Sequence, residues 1–434
     1  MIDPVQLETC TRELCSALRS LATQLANVQL PLACPGDGQT RVIYADPSHE
    51  AYRARESALA NLNKLQLMLF SPGDFLEQLA LQTQLLACIQ WLGEFQVPAC
   101  IPLDGSALMK DVSDLIGVPE TKLARIIRMA NLGGFLQEPT PGHIAHSPLS
   151  AAFVAKPSYL DAAMFLAGTV APAAWEMAIL TKQARESPHE APRDVILHKG
   201  FFTKADKTQL PRLQRQWQAY LRHGLGHHCD TATDILTCLE PLRTSAALVV
   251  EVGARSTERV IALANKYPSF RLIAQLSPAA SPAPTPKLQH PRIQLQQRLP
   301  GTPQPVGDAA VYIINFPLPE PGATWTSLMA EIDSELRAHL TALQKRPEAT
   351  VVLTAPALPE RGTAHADPDL GSRLRDLSLM QLANEREHEM SEVVNLLNGM
   401  GDGEGRLVLV NKVRSGGRHG AVALEIKYQA YPER

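Results

Sequence analysis

The sequence has few of the features that mark secreted, membrane-spanning or nucleic-acid-binding proteins. Its seven cysteines are scattered and odd in number, and the first residues lack a basic segment followed by an apolar run. This predicts a reduced, intracellular compartment and no secretory signal. The formal net charge of −3 gives no general attraction to nucleic acid or to anionic membranes. No long run of lysine and arginine marks nuclear import.

Long uninterrupted apolar runs are missing as well. The most apolar window, 162–180, contains Pro172 and Glu176. We therefore expect a buried helix pair broken at Pro172 rather than a membrane span. With 434 residues, of which 45% are hydrophobic and 20% charged, the chain is long and apolar enough for two or three domains with a sizeable core.

Helical spacing of apolar residues dominates the first segment, 1–105, with helices expected at 1–30, 50–69 and 74–95. The third of these is apolar on more than one face. Such a helix is buried either inside one chain or between two copies. The segment is therefore predicted to be an N-terminal helical and dimerisation region, with a core helix inside one chain as the equal alternative.

Residues 106–154 follow the order helix, turn, helix and hairpin, which predicts a winged helix-turn-helix. Lys122, Arg125 and Arg128 lie on the polar side of its second helix, the helix that can enter a DNA groove. Three cations on one exposed face are ordinary, and the chain as a whole is slightly acidic. We expect this segment to contact protein rather than DNA.

A helical connector is predicted at 155–240. Its stretch 199–228 mixes basic and aromatic residues, which indicates either a face for an acidic partner or a solvated helix with buried aromatics. His223, His227, His228 and Cys229 have metal-ligand chemistry. No second cluster completes a coordination shell, so no metal site is predicted.

The last segment, 241–434, alternates strands and helices and ends in an antiparallel hairpin, which predicts an open α/β sheet. Strands are expected at 248–252, 271–275, 293–297, 309–315 and 350–355. Helices are expected at 257–266, 328–346 and 391–398, and the closing hairpin at 406–414 and 420–428.

Residues 249–264 read as a buried strand, a tight turn and the start of a helix. In nucleotide-binding α/β folds this turn faces the cofactor and needs glycines, because a Cβ would block the backbone. An S-adenosylmethionine site would show an acidic residue followed by three alternating glycines. Glu251 and Gly253 fit, but Arg255 and Thr257 occupy the second and third glycine positions. We predict a vestigial turn that binds no cofactor.

The order of segments resembles the fungal and plant O-methyltransferases that use S-adenosylmethionine. The resemblance covers roughly residues 70–430. It implies an α/β protein with a helical dimerisation region and a winged helix-turn-helix, followed by a Rossmann-like class I methyltransferase-type domain. Two further family features are missing. The second strand ends at Gln275 without a carboxylate, and the segment 315–321 lacks the histidine that acts as general base. The resemblance therefore implies a pseudoenzyme without catalytic residues.

Three segments, 84–104, 138–147 and 376–382, are similar to the fungal transcriptional coactivators of the AflS/AflJ type, known from the aflatoxin pathway. This resemblance implies a methyltransferase-like fold without methyl transfer. It further implies a homodimer in the nucleus, with some protein also in the cytoplasm, and action in an aromatic polyketide pathway. The implied partner is the zinc-cluster transcription factor of the same gene cluster.

The alternative is an enzyme on the same scaffold, acting on a polyketide intermediate by methyl transfer or by cofactor-free cyclisation or rearrangement. Glu251, His143, His146 or Glu320 would then supply acid–base groups. A further alternative makes Arg255 and Arg259 the receptors of an anion near a helix N-terminus. We prefer a plug, in which Arg255 pairs with a nearby carboxylate.

Overall fold

The computed structural model describes residues 3–27, 50–186, 210–225, 247–254, 257–276, 290–315, 325–356, 370–383, 386, 389–414 and 421–432. These residues fall into two compact units. The first lies within 1–182 and 205–224, and the second within 183–204 and 225–434. The finer division into four segments at 105, 154 and 240 remains a prediction.

The first unit is mainly helical. The helices expected at 1–30, 50–69 and 74–95 are confirmed within the described residues. Its helices are α1 (Pro4–Asn27), α2 (Glu50–Leu69), α3 (Pro72–Glu94), α4 (Met109–Ile116), α5 (Glu120–Leu132), α6 (Pro148–Ala155), α7 (Ser158–Phe165), α8 (Ala171–Glu186) and α9 (Leu210–His223). Three short strands, β1 (Ala107–Leu108), β2 (Leu136–Gln137) and β3 (His143–His146), form an antiparallel sheet in the order β1-β3-β2.

α1 and α2 pack against each other along one stripe of each helix. Gln24, near the end of α1, donates a hydrogen bond to Glu50 at the start of α2, so the two helices run antiparallel. On α1 the covered positions alternate at spacings of three and four residues, which is typical of a coiled coil. They are Leu7, Cys10, Leu14, Ala17, Leu21 and Gln24. On α2 the same spacing joins Ala51, Ala54, Ala58, Asn61, Leu65 and Met68, and Arg55, Glu56, Leu59 and Ala60 are half-buried beside them.

The helix–turn–helix order predicted for 106–154 is present in α4, α5, β2 and β3. α4 ends at Gly117, whose φ of 70° lies in the left-handed region that favours glycine. Leu123 and Ile127 of α5 are buried in the core of this segment. The interpretation of these elements as a winged helix remains a prediction.

The expected helix break at Pro172 is wrong, because α7, a π-helical turn at Leu166–Val170, and α8 form one continuous helical run. A proline inside a helix lacks one N–H donor and its ring crowds the carbonyl four residues earlier. Here the π turn changes the hydrogen-bond spacing just before Pro172, which accommodates both effects. The run is also less buried than expected, since Trp175 is 68% exposed.

One stretch of this run, Ser158–Ile179, is long and apolar enough to cross a membrane by length and composition alone. Its most apolar window has a mean hydropathy of 1.4, and 39% of that window is buried. Core helices of soluble proteins satisfy the same criterion, so the finding is weak evidence for a membrane span.

The second unit contains the predicted α/β sheet. The sheet has seven strands in the order β6-β5-β4-β7-β8-β10-β9, and all pairs are parallel except those of β10 with β8 and β9. The strands are β4 (Leu248–Ala254), β5 (Arg271–Leu276), β6 (Ile293–Gln297), β7 (Val311–Asn315), β8 (Thr350–Pro356), β9 (Gly405–Arg414) and β10 (Ala421–Ala430). The helices are α10 (Glu258–Lys266), α11 (Trp325–Lys345), α12 (Leu370–Ala383) and α13 (Met390–Asn398).

α12 was not predicted, and its burial explains why. Arg375, Ser378 and Gln381 are buried along one face of this helix. Leu374, Leu377 and Met380 are each more than 40% exposed. The polar stripe therefore faces inwards, which is the reverse of the pattern that identifies a surface helix. Arg375 is fully buried and donates a hydrogen bond of 3.2 Å to the Leu225 carbonyl.

Candidate functional site

The candidate site lies at the carboxyl ends of the parallel strands, where strand order reverses. β4 pairs with β5 on one side and with β7 on the other. Successive strands are then added outwards in both directions from β4, so a crevice is expected between β4 and β7. Open α/β sheets bind ligands at such a point.

The last residues of β4 keep a backbone conformation that favours glycine. Gly253 has a φ of 66°, and a Cβ added there would meet no heavy atom of the described residues within 4 Å. Thr257, at the third glycine position, is half-buried and precedes α10 without making a side-chain capping bond. Arg255, which we expected to plug the turn, lies outside the described residues.

A different arginine, Arg259 at the second position of α10, pairs with the acidic residue of the turn. Its Nη1 lies 3.3 Å from Oε1 of Glu251, and the two side chains are only 8% and 3% exposed. A cation is disfavoured at the positive N-terminal end of a helix, so it needs compensation. The buried Glu251 carboxylate supplies that compensation.

Two further side chains tie this pair to the neighbouring strands. Asn315, the last residue of β7, donates to Oε1 of Glu251 at 3.1 Å and accepts a hydrogen bond from Arg259. Thr354 of β8 donates to Asn315 Oδ1 at 2.9 Å. We call Glu251, Arg259, Asn315 and Thr354 the switch-point cluster. It joins β4, α10, β7 and β8 through side chains alone.

Burial raises the pKa of the Glu251 carboxyl, while Arg259 and the hydrogen bond from Asn315 act in the opposite direction. Oε2 of Glu251 and Nε of Arg259 are buried and have no hydrogen-bond partner in the described part of the chain. The carboxylate is thus held through its Oε1 by an internal cation.

A second buried polar network starts where an acidic ribose-binding residue would stand. Gln275 is 1% exposed, and its Nε2 donates to Gln296 and to Gln304 at 3.0 and 2.7 Å. Gln304 in turn donates to Nε2 of His339 at 2.9 Å. His339 Nδ1 lies 2.7 Å from the Glu335 carbonyl oxygen, so the neutral ring donates there and accepts from Gln304.

The same network is extended by a buried ion pair. Arg298 Nη1 lies 2.5 Å from Oε1 of Glu335, and the Gly301 amide donates to the other carboxylate oxygen at 2.7 Å. Burial lowers the pKa of His339 to about 4. We call Gln275, Gln296, Gln304, Arg298, Glu335 and His339 the glutamine–histidine network.

The histidines considered as acid–base groups lie in the first unit. His146 Nε2 faces the carbonyl oxygens of Pro98 and Ile101 at 3.2 and 3.3 Å, and its Nδ1 lies 2.9 Å from Ser150 Oγ. Its ring therefore has a structural role. His143 is half-buried at the start of β3. Glu320 lies outside the described residues.

The basic stretch 199–228 is only partly described, through α9. Trp217 and Tyr220 are buried in the first unit, as expected for a helix with aromatics on its inner side. Arg215 donates to both carboxylate oxygens of Asp161, at 2.8 and 3.1 Å. His227, His228 and Cys229 lie outside the described ranges. Within those ranges, no group of three or more histidine, cysteine, aspartate or glutamate residues could hold a metal ion.

Comparison with known proteins identifies the family. A family model described as the trypacidin cluster transcriptional coactivator tpcD N-terminal domain matches residues 5–70, which include α1 and α2. Over all of both chains, the sequence is 59% identical to the agnestins biosynthesis cluster transcriptional coactivator AgnL9 of Paecilomyces divaricatus. The chain belongs to this family of fungal cluster transcriptional coactivators. It is also 43% identical to the monodictyphenone cluster coactivator mdpA of Emericella nidulans, over 98% of each chain.

Solved structures show that this coactivator shares its fold with methyltransferase-like proteins. One, titled as a pericyclic reaction enzyme, has a TM-score of 0.65 at 18% identity and covers 96% of this chain and all of its own. The mitomycin 7-O-methyltransferase MmcR has a TM-score of 0.55 at 20% identity, covering 87% of this chain and all of its own. At these identities the likeness shows the fold alone.

Proposed function

We propose that this chain is a non-enzymatic coactivator in the nucleus, acting with the zinc-cluster transcription factor of a fungal aromatic polyketide gene cluster. The family names support the coactivator role. The non-enzymatic part is carried by one observation: the acidic residue of the turn is neutralised by the buried Arg259. A ligand that uses Oε1 of Glu251 would first have to break this pair and the Asn315 hydrogen bond.

The loss of cofactor binding is proposed to rest on charge and hydrogen bonding. Glu251 and Gln275 are both occupied by internal partners. Binding energy that a cofactor gains from such groups is offset by the cost of separating them. The vestigial turn of Glu251, Gly253, Arg255 and Thr257 is therefore proposed to bind no cofactor.

Titration of the purified protein with S-adenosylmethionine and S-adenosylhomocysteine is expected to release no measurable heat up to millimolar ligand. An active O-methyltransferase titrated under identical conditions serves as the positive control. Micromolar binding would contradict the proposal and would favour the alternative of an enzyme on this scaffold.

The first unit is proposed to supply the protein contacts, through a winged helix at 106–154 and a homodimer formed by the helical region. The exposed cations of α5 support a protein surface more than a DNA surface, because Arg128 is paired with Glu138 at 3.4 Å. In α9, Arg212 and Arg215 pair with Glu94 and Asp161. Two of the described cations of the basic stretch are thus paired within the first unit.

Deletion of the gene is expected to lower transcripts of the neighbouring biosynthetic genes several-fold while the transcription factor's own transcript persists. Complementation with Glu251→Ala plus Arg259→Ala should restore transcription if no catalysis is needed, provided that the variant accumulates to wild-type level. Loss of the metabolite with unchanged transcripts would instead point to an enzyme. Quantitative measurement of transcripts across the gene cluster distinguishes a coactivator from an enzyme.

A further inference from the structure

We propose that the second half of α2, residues 59–69, is a signal for export from the nucleus. Its partner would be an export receptor whose apolar groove takes large aliphatic side chains at a fixed spacing. We call residues 59–69 the leucine segment. The inference rests on the proposed nuclear location and goes beyond it, because it supplies a route by which the protein returns to the cytoplasm.

The leucine segment combines two spacings that belong to different backbone conformations. Leu59, Leu62 and Leu65 are three residues apart, as along one side of a helix. Leu65, Leu67 and Leu69 are two residues apart, as in an extended chain. Leucine-rich export signals share this pattern, in which helically spaced anchors are followed by a last anchor on an extended end. The order of the two spacings therefore indicates the kind of groove that the segment fits.

The hairpin of α1 and α2 makes little use of this pattern. α2 remains helical as far as Leu69, so its leucines are spread around the helix. Leu62, Leu67 and Leu69 are 47%, 61% and 58% exposed. Lys64 is the one charged residue of the segment, so the segment can enter an apolar groove with little loss of hydration. Such a conflict between a local pattern and the fold is expected at a functional site.

Full use of the anchors requires α1 to separate from α2. Leu65 lies in the stripe along which the two helices pack, here called the seam, and Leu59 is half-buried beside it. Asn61 is also in the seam and is 4% exposed. Its Nδ2 donates to the Ser57 carbonyl of the same helix at 3.0 Å, while its Oδ1 has no hydrogen-bond partner in the described part of the chain. A buried acceptor without a partner destabilises the closed hairpin, and opening returns it to water.

The rest of the seam also favours separation. Ala17 of α1 and Ala51, Ala54 and Ala58 of α2 are buried there, and alanine gains less from burial than a larger apolar residue. Among the described elements, α2 is the main neighbour of α1. Opening the hairpin therefore breaks mainly one interface and leaves the core of the first unit in place.

The full-length protein with a fluorescent tag, produced in the fungus from its own promoter, is expected in both nucleus and cytoplasm. Leu62→Ala combined with Leu67→Ala should raise the nuclear-to-cytoplasmic ratio several-fold. Both side chains are exposed and alanine favours helix, so the circular dichroism of the protein should not change. The matched control is Leu18→Ala combined with Leu25→Ala, since both leucines are 46% exposed on α1 but lie outside the leucine segment.

Two further measurements test the receptor and the opening of the hairpin. Purified full-length protein should bind the purified export receptor in the presence of its GTP-bound GTPase, and the Leu62/Leu67 double variant should bind at least about tenfold more weakly. Asn61→Leu keeps every anchor and removes the buried polar group from the seam. It should raise the Tm and also the nuclear-to-cytoplasmic ratio, because the closed hairpin covers Leu65.

Several results would overturn the proposal. An unchanged ratio in the leucine double variant, with normal entry into the nucleus, would remove the export signal and leave the coactivator role intact. An unchanged ratio with lost cluster transcripts would assign the exposed leucines to the transcription-factor contact, and a changed oligomeric mass would assign them to a second copy. Exclusion of both wild type and variant from the nucleus would contradict the proposed nuclear location itself. Asn61→Leu with a higher Tm and an unchanged ratio would show that export does not need the hairpin to open.

Discussion

Replacing Arg259 with leucine is expected to destabilise the second unit by about 3–5 kcal/mol, because Glu251 would lose its cationic partner while staying buried. For a unit of roughly 200 residues this corresponds to a fall in Tm of roughly 10 °C. Thermal unfolding followed by circular dichroism or calorimetry measures the change. Arg271→Leu is the control, since Arg271 is exposed on β5 of the same unit.

A second substitution separates an ion-pair effect from a packing effect. If the cost comes from an uncompensated carboxylate, Glu251→Met added to Arg259→Leu should restore most of the lost stability, because apolar replacements of buried pairs are often neutral. An Arg259→Leu variant that melts within about 1 °C of the wild type would show that the pair contributes little. A double variant no better than the single one would assign the loss to packing.

Acidification from pH 7 to pH 5 is expected to cost the second unit about 2 kcal/mol through His339 alone. Burial lowers the folded-state pKa of His339 to about 4, below the ordinary 6.5 of the unfolded chain. As pH falls below 6.5, the unfolded state takes up a proton that the folded ring does not. Stability is therefore lost between pH 6.5 and pH 4, and the loss is complete below the folded pKa.

The His339→Gln variant should flatten this dependence, because glutamine can donate to the Glu335 carbonyl and accept from Gln304 without titrating. Urea unfolding of the wild type and of His339→Gln at pH 7 and pH 5 gives the free energy of unfolding of each protein. The difference between their pH dependences is the contribution of His339. The control is His290→Gln, since His290 lies outside the glutamine–histidine network. Equal pH dependence in wild type and His339→Gln would contradict the assignment.

Much of the fold was predictable, because apolar spacing differs between strands and helices. The start and end of α2 coincide with the predicted 50–69, and the predicted strands of the second unit are confirmed to within a few residues. α12 could not be found this way. Its buried face carries Arg375, Ser378 and Gln381, so its pattern indicates the opposite orientation.

The site was only partly predictable, since its contacts depend on the order of strands in the sheet. Glu251 and Asn315 are 64 residues apart and meet because β4 pairs with β7. From the sequence we expected Arg255, and not Arg259, to pair with a nearby carboxylate. Long side chains on a helix point back towards its N-terminus, which directs Arg259 to the strand end. That geometry favours Arg259 as the partner of Glu251. The sequence signal for this pair was a cation in the first turn of a helix, where a positive charge needs a compensating carboxylate.

The position of β10 has a consequence for synthesis of the chain. β10 is made after every other strand of the sheet, yet it lies between β8 and β9 and pairs with both. Until residues 421–430 emerge from the ribosome, β8 has an unpaired edge that carries Val351, Val352 and Leu353. β9 also lacks the strand with which it pairs. An open, apolar strand edge promotes aggregation. A premature stop codon before residue 421 should therefore yield a product that is degraded or aggregates, even though the switch-point cluster is already encoded.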